Sequence, residues 1–228
     1  MSARPILFQP AMVRALLAGT KTQTRRVIRD QKLYRQAADG VDVWTGFMGW
    51  QALEWALENR QLCAKGCLPA SAVGDLLWVR EAWAPLAALT HNDPGTRALI
   101  DRGFYRADEG TTPGEIASWR PSIHMPRWAS RLTLVVTDVR VQRLQEISED
   151  DAWTEGIEPD DTGTAWLCYA PQPKGQTHWA DPRESYRTLW DSINGTGSWG
   201  ANPWVAAYTF SVHRQNVDNF LADQARVA

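Results

Sequence analysis

Apolar residues recur at helical spacing near the start of the chain. Residues 5–8 form a short apolar run that predicts a strand, and Met12 and Leu16 then lie one helical turn apart. Gly19 follows the apolar positions and is expected to end the helix, because glycine readily adopts the left-handed conformation of a helix cap. The pattern predicts a strand followed by an amphipathic helix.

The clearest strand signal lies in the middle of the chain, in the run SRLTLVVTDVRVQRL. An apolar residue stands at every second position as far as Val136, and the alternation resumes one residue out of phase at Val139. A shift of one residue exchanges the two faces of a strand. We therefore expect a bulge or tight bend at Thr137 and Asp138, as in small curved barrels.

A short polar helix is predicted directly after this strand. Ser148 followed three residues later by Asp151 resembles a capping box, and Gly156 is placed to end the helix. Glu155 then falls in the last turn, where a carboxylate opposes the helix dipole by a few tenths to about 1 kcal/mol. This unfavourable position marks Glu155 as a residue that needs an explanation.

Two further elements are predicted near the end of the chain. Residues 184–194 have the pattern of a helix whose apolar face holds Tyr186, Leu189, Trp190 and Ile193. Residues 203–212 alternate from Trp204 to Val212 and predict a closing strand.

Several strands, few helices and glycine turns favour an α+β fold, with a small, partly closed β-barrel and helices at its rim. We expect a single domain over residues 1–215 and a frayed tail over 216–228. Weakly patterned stretches at about 27–73, 84–118 and 158–183 are interpreted as insertions.

Composition excludes several classes of protein. The 228 residues are 44% hydrophobic and 22% charged, with a net charge of −2, as in an ordinary globular protein. No apolar run approaches the ~20 residues of a membrane span, and the N-terminus lacks the apolar core of a signal peptide. We expect a cytoplasmic protein without a membrane partner. Cys63, Cys67 and Cys168 fit neither a disulfide framework nor a metal site, so no metal or other cofactor is predicted.

Charge is distributed unevenly despite the small net value. Residues 1–36 contain eight basic residues against Asp30 alone, and residues 144–163 contain eight acidic residues and no basic one. These blocks can be solvated faces or can meet across a cleft. The densest basic stretch, GTKTQTRR at residues 19–26, can bind phosphates without any catalysis, its threonines donating hydrogen bonds.

The order of these elements resembles the ASCH domain, a PUA-like barrel. The strings KTQTRR, RPSIHMPRWASRL, TDVRVQRL and NPWVAAYTF are similar to a phage and prophage branch of that superfamily. The resemblance covers roughly half of the chain, in residues 4–26, 74–84, 119–157 and 184–212.

Bacterial ASCH proteins that hydrolyse the amide of N4-acetylcytidine have an AGxKTxTxR stretch and a glutamate near the end of the helix after the long strand. The resemblance therefore implies that Lys21, Thr24 and Glu155 form a catalytic set. Threonine is a possible nucleophile, and Glu155 can orient the lysine or carry protons to the leaving amine. A lysine with a pKa of about 10.4 is a poor base at neutral pH, so Lys21 must be buried or set beside cations such as Arg25 and Arg26. In a straight strand Lys21 and Thr24 point to opposite faces, so they converge only if the chain turns after Gly19.

Other residues are candidates for holding a nucleotide. The proline-bounded loop RPSIHMPRWASR contains His124, Arg127 and Trp128, which can bind by stacking and charge or simply pack the barrel mouth. Trp199 lies on a glycine-rich turn and can stack on a base or only lead into the last strand. Arg25 and Arg26 complete the predicted substrate-binding set.

These observations lead to one favoured function and two alternatives. The favoured function is hydrolysis of an N4-acyl group on a cytidine-type nucleoside or RNA, by Lys21, Thr24 and Glu155. The first alternative is a non-catalytic RNA-binding or phage assembly module. The second is a ribonuclease that uses His124 as its base, without a partner identified in the sequence.

Overall fold

The computed structural model has an α+β fold. It describes residues 2–85, 103–108, 116, 118–170, 175 and 177–227. The strands in these residues are β1 (Ala3–Leu7), β2 (Gln23–Val27), β3 (Tyr34–Ala37), β4 (Gly40–Trp44), β5 (Trp50–Ala52), β6 (Leu76–Arg80), β7 (Trp83–Ala84), β8 (Phe104–Tyr105), β9 (Thr133–Arg143), β10 (Trp166–Leu167), β11 (His178–Trp179) and β12 (Trp204–His213). The α-helices are α1 (Pro10–Ala18), α2 (Leu53–Glu58), α3 (Glu149–Thr154), α4 (Pro182–Asn194) and α5 (Val217–Val227).

The largest sheet has five strands in the order β1-β6-β9-β12-β2. β1 pairs in parallel with β6, whereas β6 with β9 and β12 with β2 are antiparallel. β1 and β2 are the end strands of this order, so the sheet is open in the described part of the chain and does not form a closed barrel. No helix among the described residues is long and apolar enough to cross a membrane.

The chain divides into two compact units, although the sequence predicted one domain. The first unit comprises residues 1–20, 74–136 and 210–228, and the second comprises residues 21–73 and 137–209. Within β9 the division follows Val136, the point at which the alternation of apolar residues slips. Burial follows the slip in the sequence, because Val136 is buried, Thr137 and Asp138 are exposed, and burial resumes at Val141. The bulge or bend expected at Thr137 and Asp138 stays a prediction.

The first unit contains the predicted N-terminal strand and helix. Met12 and Leu16 are buried in α1, and Gly19 ends the helix with a φ of 79°, as its position predicted. β7, at the start of the predicted insertion 84–118, pairs with β8 inside it and forms a two-stranded sheet. The rest of that insertion, apart from residues 84–85, 103–108, 116 and 118, lies outside the described residues.

The prediction of a frayed C-terminal tail is wrong. The residues after 216 form helix α5, in which Val217 and Phe220 are buried against Leu76 and Trp78. Two apolar residues three positions apart lie on the same side of a helix and are enough to anchor it. The tail therefore belongs to the folded part of the first unit.

In the second unit, two weakly patterned stretches that were interpreted as insertions contain regular secondary structure. β3, β4 and β5 form an antiparallel three-stranded sheet within residues 27–73, and Val43 is completely buried in it. β10 and β11 form a short antiparallel pair within residues 158–183.

The helices α3 and α4 and the strand β12 follow the predicted pattern with two differences. The Ser148 side chain accepts a hydrogen bond from the Asp151 N–H at 3.1 Å and begins α3, and Gly156 follows the helix with a φ of 81°. In α4, Tyr186 is buried with two other predicted apolar residues, but Ile193 is 41% exposed because it lies in the last turn. β12 is buried at every position from Trp204 to Tyr208 instead of alternating.

Candidate functional site

A buried lysine and a buried glutamate meet in the second unit. Lys21 precedes β2 and forms an isolated antiparallel bridge with Glu155, the residue that caps α3. The Lys21 Nζ donates hydrogen bonds to Glu155 Oε2 at 2.9 Å and to the Glu155 main-chain oxygen at 2.6 Å. The two side chains are only 2% and 4% exposed. The contact joins residues 134 positions apart in sequence.

Local structure explains how Glu155 reaches this position. The Ser148 cap sets the start of α3 and Gly156 follows its end, so Glu155 falls at the C-cap, directly after the last helical residue. The helix dipole disfavours a carboxylate there. Lys21 and Arg25 supply two positive charges within 3.0 Å of its oxygens, which accounts for the unfavourable placement noted in the sequence.

Arg25 joins Glu155 to a second carboxylate. Its Nη1 donates to Glu155 Oε1 at 3.0 Å and its Nη2 donates to Asp151 Oδ2 at 2.7 Å. Gln23 donates to Asp151 at 3.1 Å, and Arg140 pairs with Asp151 at 2.9 Å. Residues of the basic block and of the acidic block thus meet in one network. The Arg25 guanidinium binds carboxylates of the chain itself.

The electrostatic setting of Lys21 is the one that a lysine base requires. Burial lowers the pKa of Lys21 below the ordinary value of 10.5, and the charges of Arg26 and Arg25 lower it further. The charge and hydrogen bond of Glu155 act in the opposite direction but do not cancel the effect of burial. The lysine is therefore easier to deprotonate than one in water.

Thr24 leaves β2 on the other side from Lys21. Lys21 and Arg25 both contact Glu155, so these alternate residues face α3. Thr24 is buried, lies between them and pairs in register with Tyr208 of β12. The left-handed turn occurs at Gly19, ahead of Lys21, and the backbone is already a strand at Thr24. This turn therefore does not bring the Thr24 side chain to the side of Lys21.

Arg26 shares the Thr24 side of β2, because alternate residues of a strand face the same way. Arg26 is partly buried, and burial lowers its pKa while the charge of Glu155 acts in the opposite direction. This guanidinium therefore lies within the electrostatic field of the Lys21–Glu155 pair.

Three predicted binding residues lie in the first unit. His124 is exposed at the end of a 3-10 turn, and Arg127 pairs with Asp218 at 2.7 Å. Trp128 is 55% exposed and contacts Trp83 edge-on, with ring centroids 5.7 Å apart. Lys21 and Glu155 belong to the second unit.

Sequence reasoning missed Tyr186, which contacts the centre of the network. The Tyr186 ring centroid lies 6.0 Å from the Arg25 guanidinium carbon, and burial, followed by the charge of Glu155, raises the pKa of the Tyr186 hydroxyl. Trp199 lies beside it, with ring centroids 6.2 Å apart. A tyrosine on the apolar face of a helix has the pattern of a core residue. Its hydroxyl was the one feature in the sequence that could have indicated a polar role.

Among the described residues, no group of three or more histidine, cysteine, aspartate or glutamate side chains is placed to hold a metal ion. Comparison with known proteins gave no match: no family model, no curated protein and no solved structure is significantly similar to this chain.

Proposed function

We propose that the chain is an amidohydrolase of the ASCH type that removes the N4-acyl group from cytidine-type nucleosides. In this proposal the open sheet is a variant of the PUA-like barrel, and the reaction takes place at Lys21 and Glu155. The proposal rests on the resemblance of the motifs and on the chemistry of this pair. Its substrate is a free nucleoside or the same group in RNA.

The observation that carries the proposal is the buried contact between Lys21 Nζ and the Glu155 carboxylate at 2.9 Å. A buried ion pair adds little net stability compared with apolar residues of similar size. Such a pair with a lysine of lowered pKa is the arrangement expected of a proton-transfer site.

The proposed chemistry uses a water molecule as the nucleophile, because Thr24 leaves β2 on the other side from Lys21. Neutral Lys21 takes a proton from this water while the water oxygen attacks the acyl carbon, and the protonated lysine then gives the proton to the departing N4 amine of cytidine. The bond between the acyl carbon and N4 breaks, and the acid and cytidine are released. Glu155 holds the charged form of the lysine between these transfers.

Charge near the Lys21–Glu155 pair favours the same reaction. Negative charge develops on the acyl oxygen when the carbonyl is attacked. Arg26 lies within the electrostatic field of this pair and is suited to stabilise that oxygen. Trp199 is half-buried next to Tyr186 and is the candidate for stacking on the base.

The test is hydrolysis of N4-acetylcytidine by the wild-type chain and by Lys21→Ala and Thr24→Ala. Loss of the base in Lys21→Ala is expected to reduce the rate by about 10²–10⁴-fold, whereas Thr24→Ala should keep most of the activity because water is the nucleophile. Nucleotide retention should survive Thr24→Ala better than Lys21→Ala, because only the second change removes a positive charge.

Other results of this test assign other roles. If Thr24→Ala is as inactive as Lys21→Ala, Thr24 is the nucleophile and the role given to water is wrong. If wild type hydrolyses no acylated cytidine but retains RNA, the chain is a binding module. Cleavage of RNA that depends on His124 identifies a ribonuclease.

A further inference from the structure

Two arginines of this chain bind a buried glutamate in different ways. In the first unit, Arg131 donates from Nε to Glu81 Oε1 at 2.8 Å and from Nη2 to Glu81 Oε2 at 3.0 Å, so one guanidinium takes both oxygens. In the second unit, Arg25 donates to Glu155 from Nη1 alone, and it reaches only Oε1, at 3.0 Å. Two parallel hydrogen bonds are the stronger arrangement between arginine and a carboxylate. The arrangement at Glu155 therefore needs an explanation.

Asp151 supplies the explanation, because it takes the other arm of Arg25. The Arg25 Nη2 donates to Asp151 Oδ2 at 2.7 Å. Gln23 supports this contact, since its Oε1 accepts from Arg25 Nη1 at 2.5 Å and its Nε2 donates to Asp151 Oδ1 at 3.1 Å. The buried Arg25 Nε–H has no acceptor among the described residues. An unpaired buried donor costs free energy, so Arg25 spans two carboxylates at the expense of one of its own hydrogen bonds.

The consequence of this arrangement falls on Lys21. Because Arg25 takes only Oε1 of Glu155, Oε2 is left for Lys21 Nζ, which lies 2.9 Å from it. If both arms of Arg25 bound Glu155, in the manner of the pair in the first unit, the second arm would take Oε2. Of its two hydrogen bonds to Glu155, Lys21 would then keep the one to the main-chain oxygen, at 2.6 Å.

We infer that Asp151 is a positioning residue that draws one arm of Arg25 away from Glu155 and so reserves Oε2 of that carboxylate for Lys21. The contacts alone support this arrangement, and only its effect on turnover rests on the proposed function. The other charged and titratable groups around these four residues are Arg26 of β2, Arg140 of β9, Tyr186 of α4 and Tyr208 of β12. Burial raises the pKa of both tyrosines above 10, so near neutral pH the charges that act on Lys21 are those of the arginines and carboxylates.

Loss of the Asp151 charge changes Lys21 in a defined direction. In Asp151→Asn the second arm of Arg25 is released and is expected to turn to Glu155, so Lys21 Nζ loses its share of that carboxylate. The charged lysine is then less favoured, and the pKa of Lys21 falls. A fall of about one unit gives about tenfold more neutral lysine near neutral pH. An aspartate that only stabilised the fold would leave this titration unchanged.

The experiment is an NMR titration of the lysine side chains in wild type and Asp151→Asn. The chain has four lysines, so Lys21→Arg assigns the Lys21 signal by its disappearance. Asp42→Asn is the matched control, because Asp42 is a partly buried carboxylate of the second unit that pairs with a different arginine, Arg35, at 2.7 Å. We expect the Lys21 midpoint to fall in Asp151→Asn and to stay at the wild-type value in Asp42→Asn.

A double-variant cycle separates the movement of Arg25 from the loss of a nearby charge. Arg25→Lys keeps the positive charge but lacks the planar fork that can take both oxygens of a carboxylate. Asp151→Asn should therefore shift the Lys21 midpoint less in the Arg25→Lys background than in wild type. A midpoint that does not fall in Asp151→Asn, or that falls equally in both backgrounds, overturns the inference.

Arg140→Gln tests the inference even if Asp151→Asn does not fold. Arg140 is 43% exposed and binds the same carboxylate at 2.9 Å, so its removal leaves Asp151 to hold Arg25 more strongly. Glu155 is then shared less with Arg25, and the Lys21 midpoint should rise. A midpoint that falls in Arg140→Gln, or stays at the wild-type value, contradicts the role of Asp151.

Kinetics separate this inference from the proposed function. If the chain hydrolyses N4-acetylcytidine, Asp151→Asn should lower the midpoint of the kcat/KM profile by the shift seen in NMR. It should also lower the rate at high pH about tenfold, because Lys21 is held less well. Asp151→Glu keeps the carboxylate and should restore most of both values, whereas a loss of rate with an unchanged midpoint contradicts the positioning role. If wild type is inactive, the proposed function fails, and the NMR titration still decides the role of Asp151.

Discussion

Replacing Glu155 by glutamine is expected to destabilise the folded chain by about 3–5 kcal/mol at neutral pH, the cost of removing one partner of a buried ion pair. The smaller value for surface pairs, below about 1 kcal/mol, does not apply, because the Lys21 and Glu155 side chains are only 2% and 4% exposed. The glutamine amide also offers N–H groups where Lys21 and Arg25 need acceptors. Both cations would therefore be left poorly compensated at this position.

The same variant should change how stability depends on pH. Because burial lowers the pKa of Lys21, the unfolded chain binds more protons than the folded chain between that lowered pKa and 10.5. The free energy of unfolding therefore rises with pH across this window. Glu155 is the group that raises the pKa of Lys21, so without it the pKa falls further and the rise begins at a lower pH.

The assay is urea unfolding followed by tryptophan fluorescence at several pH values. Glu158→Gln is the control, since it removes an exposed carboxylate three residues further along and should change stability by no more than about 0.5 kcal/mol. Equal stabilities of Glu155→Gln and Glu158→Gln at all pH values would refute the reasoning, because they would mean that the buried pair does not form.

Three further changes test other parts of the structure. Asp151→Asn should lower the free energy of unfolding by about 1–3 kcal/mol at pH 7 and make the loss of stability in acid less steep. Burial alone would raise the pKa of Asp151, but its arginine partners lower it, so the stability that Asp151 contributes is present above about pH 4 and is lost as pH falls through the lowered pKa. Phe220→Ala should cost about 3–5 kcal/mol in urea unfolding because α5 is packed in the first unit, whereas Phe47→Ala, at a fully exposed side chain, should cost almost nothing. Trp128→Ala should cost at most about 1.5 kcal/mol, and in a nucleotide assay it should raise KM and leave kcat unchanged.

Local signals predicted the elements that form the site. The spacing of apolar residues, Gly19, the Ser148 cap and Gly156 were enough to place the first helix and α3 close to their observed bounds. The cost of a carboxylate in the last turn of α3 pointed to Glu155 before any contact was known. These signals act within a few residues, which is why the sequence alone reveals them.

Tertiary contacts decided what the sequence did not reveal. Asp151 has the spacing of a capping partner, but its carboxylate pairs with Arg25 and Arg140, which come from distant strands. Tyr186 has the pattern of a core residue, and its position beside the Arg25 guanidinium depends on how α4 packs against the rest of the second unit. The open sheet also depends on which strands pair at its ends, and alternation within one strand carries no such information.

The pH dependence of N4-acetylcytidine hydrolysis tests the proposed function most directly. A lysine base must be neutral to accept a proton, so kcat/KM should rise with pH through a midpoint below 10.5 that equals the Lys21 midpoint measured by NMR. Lys21→Arg keeps the positive charge but cannot act as a base, and it should lose this activity at every pH. The account is contradicted if the wild-type chain releases no cytidine at any pH, or if Lys21→Arg releases it at the wild-type rate.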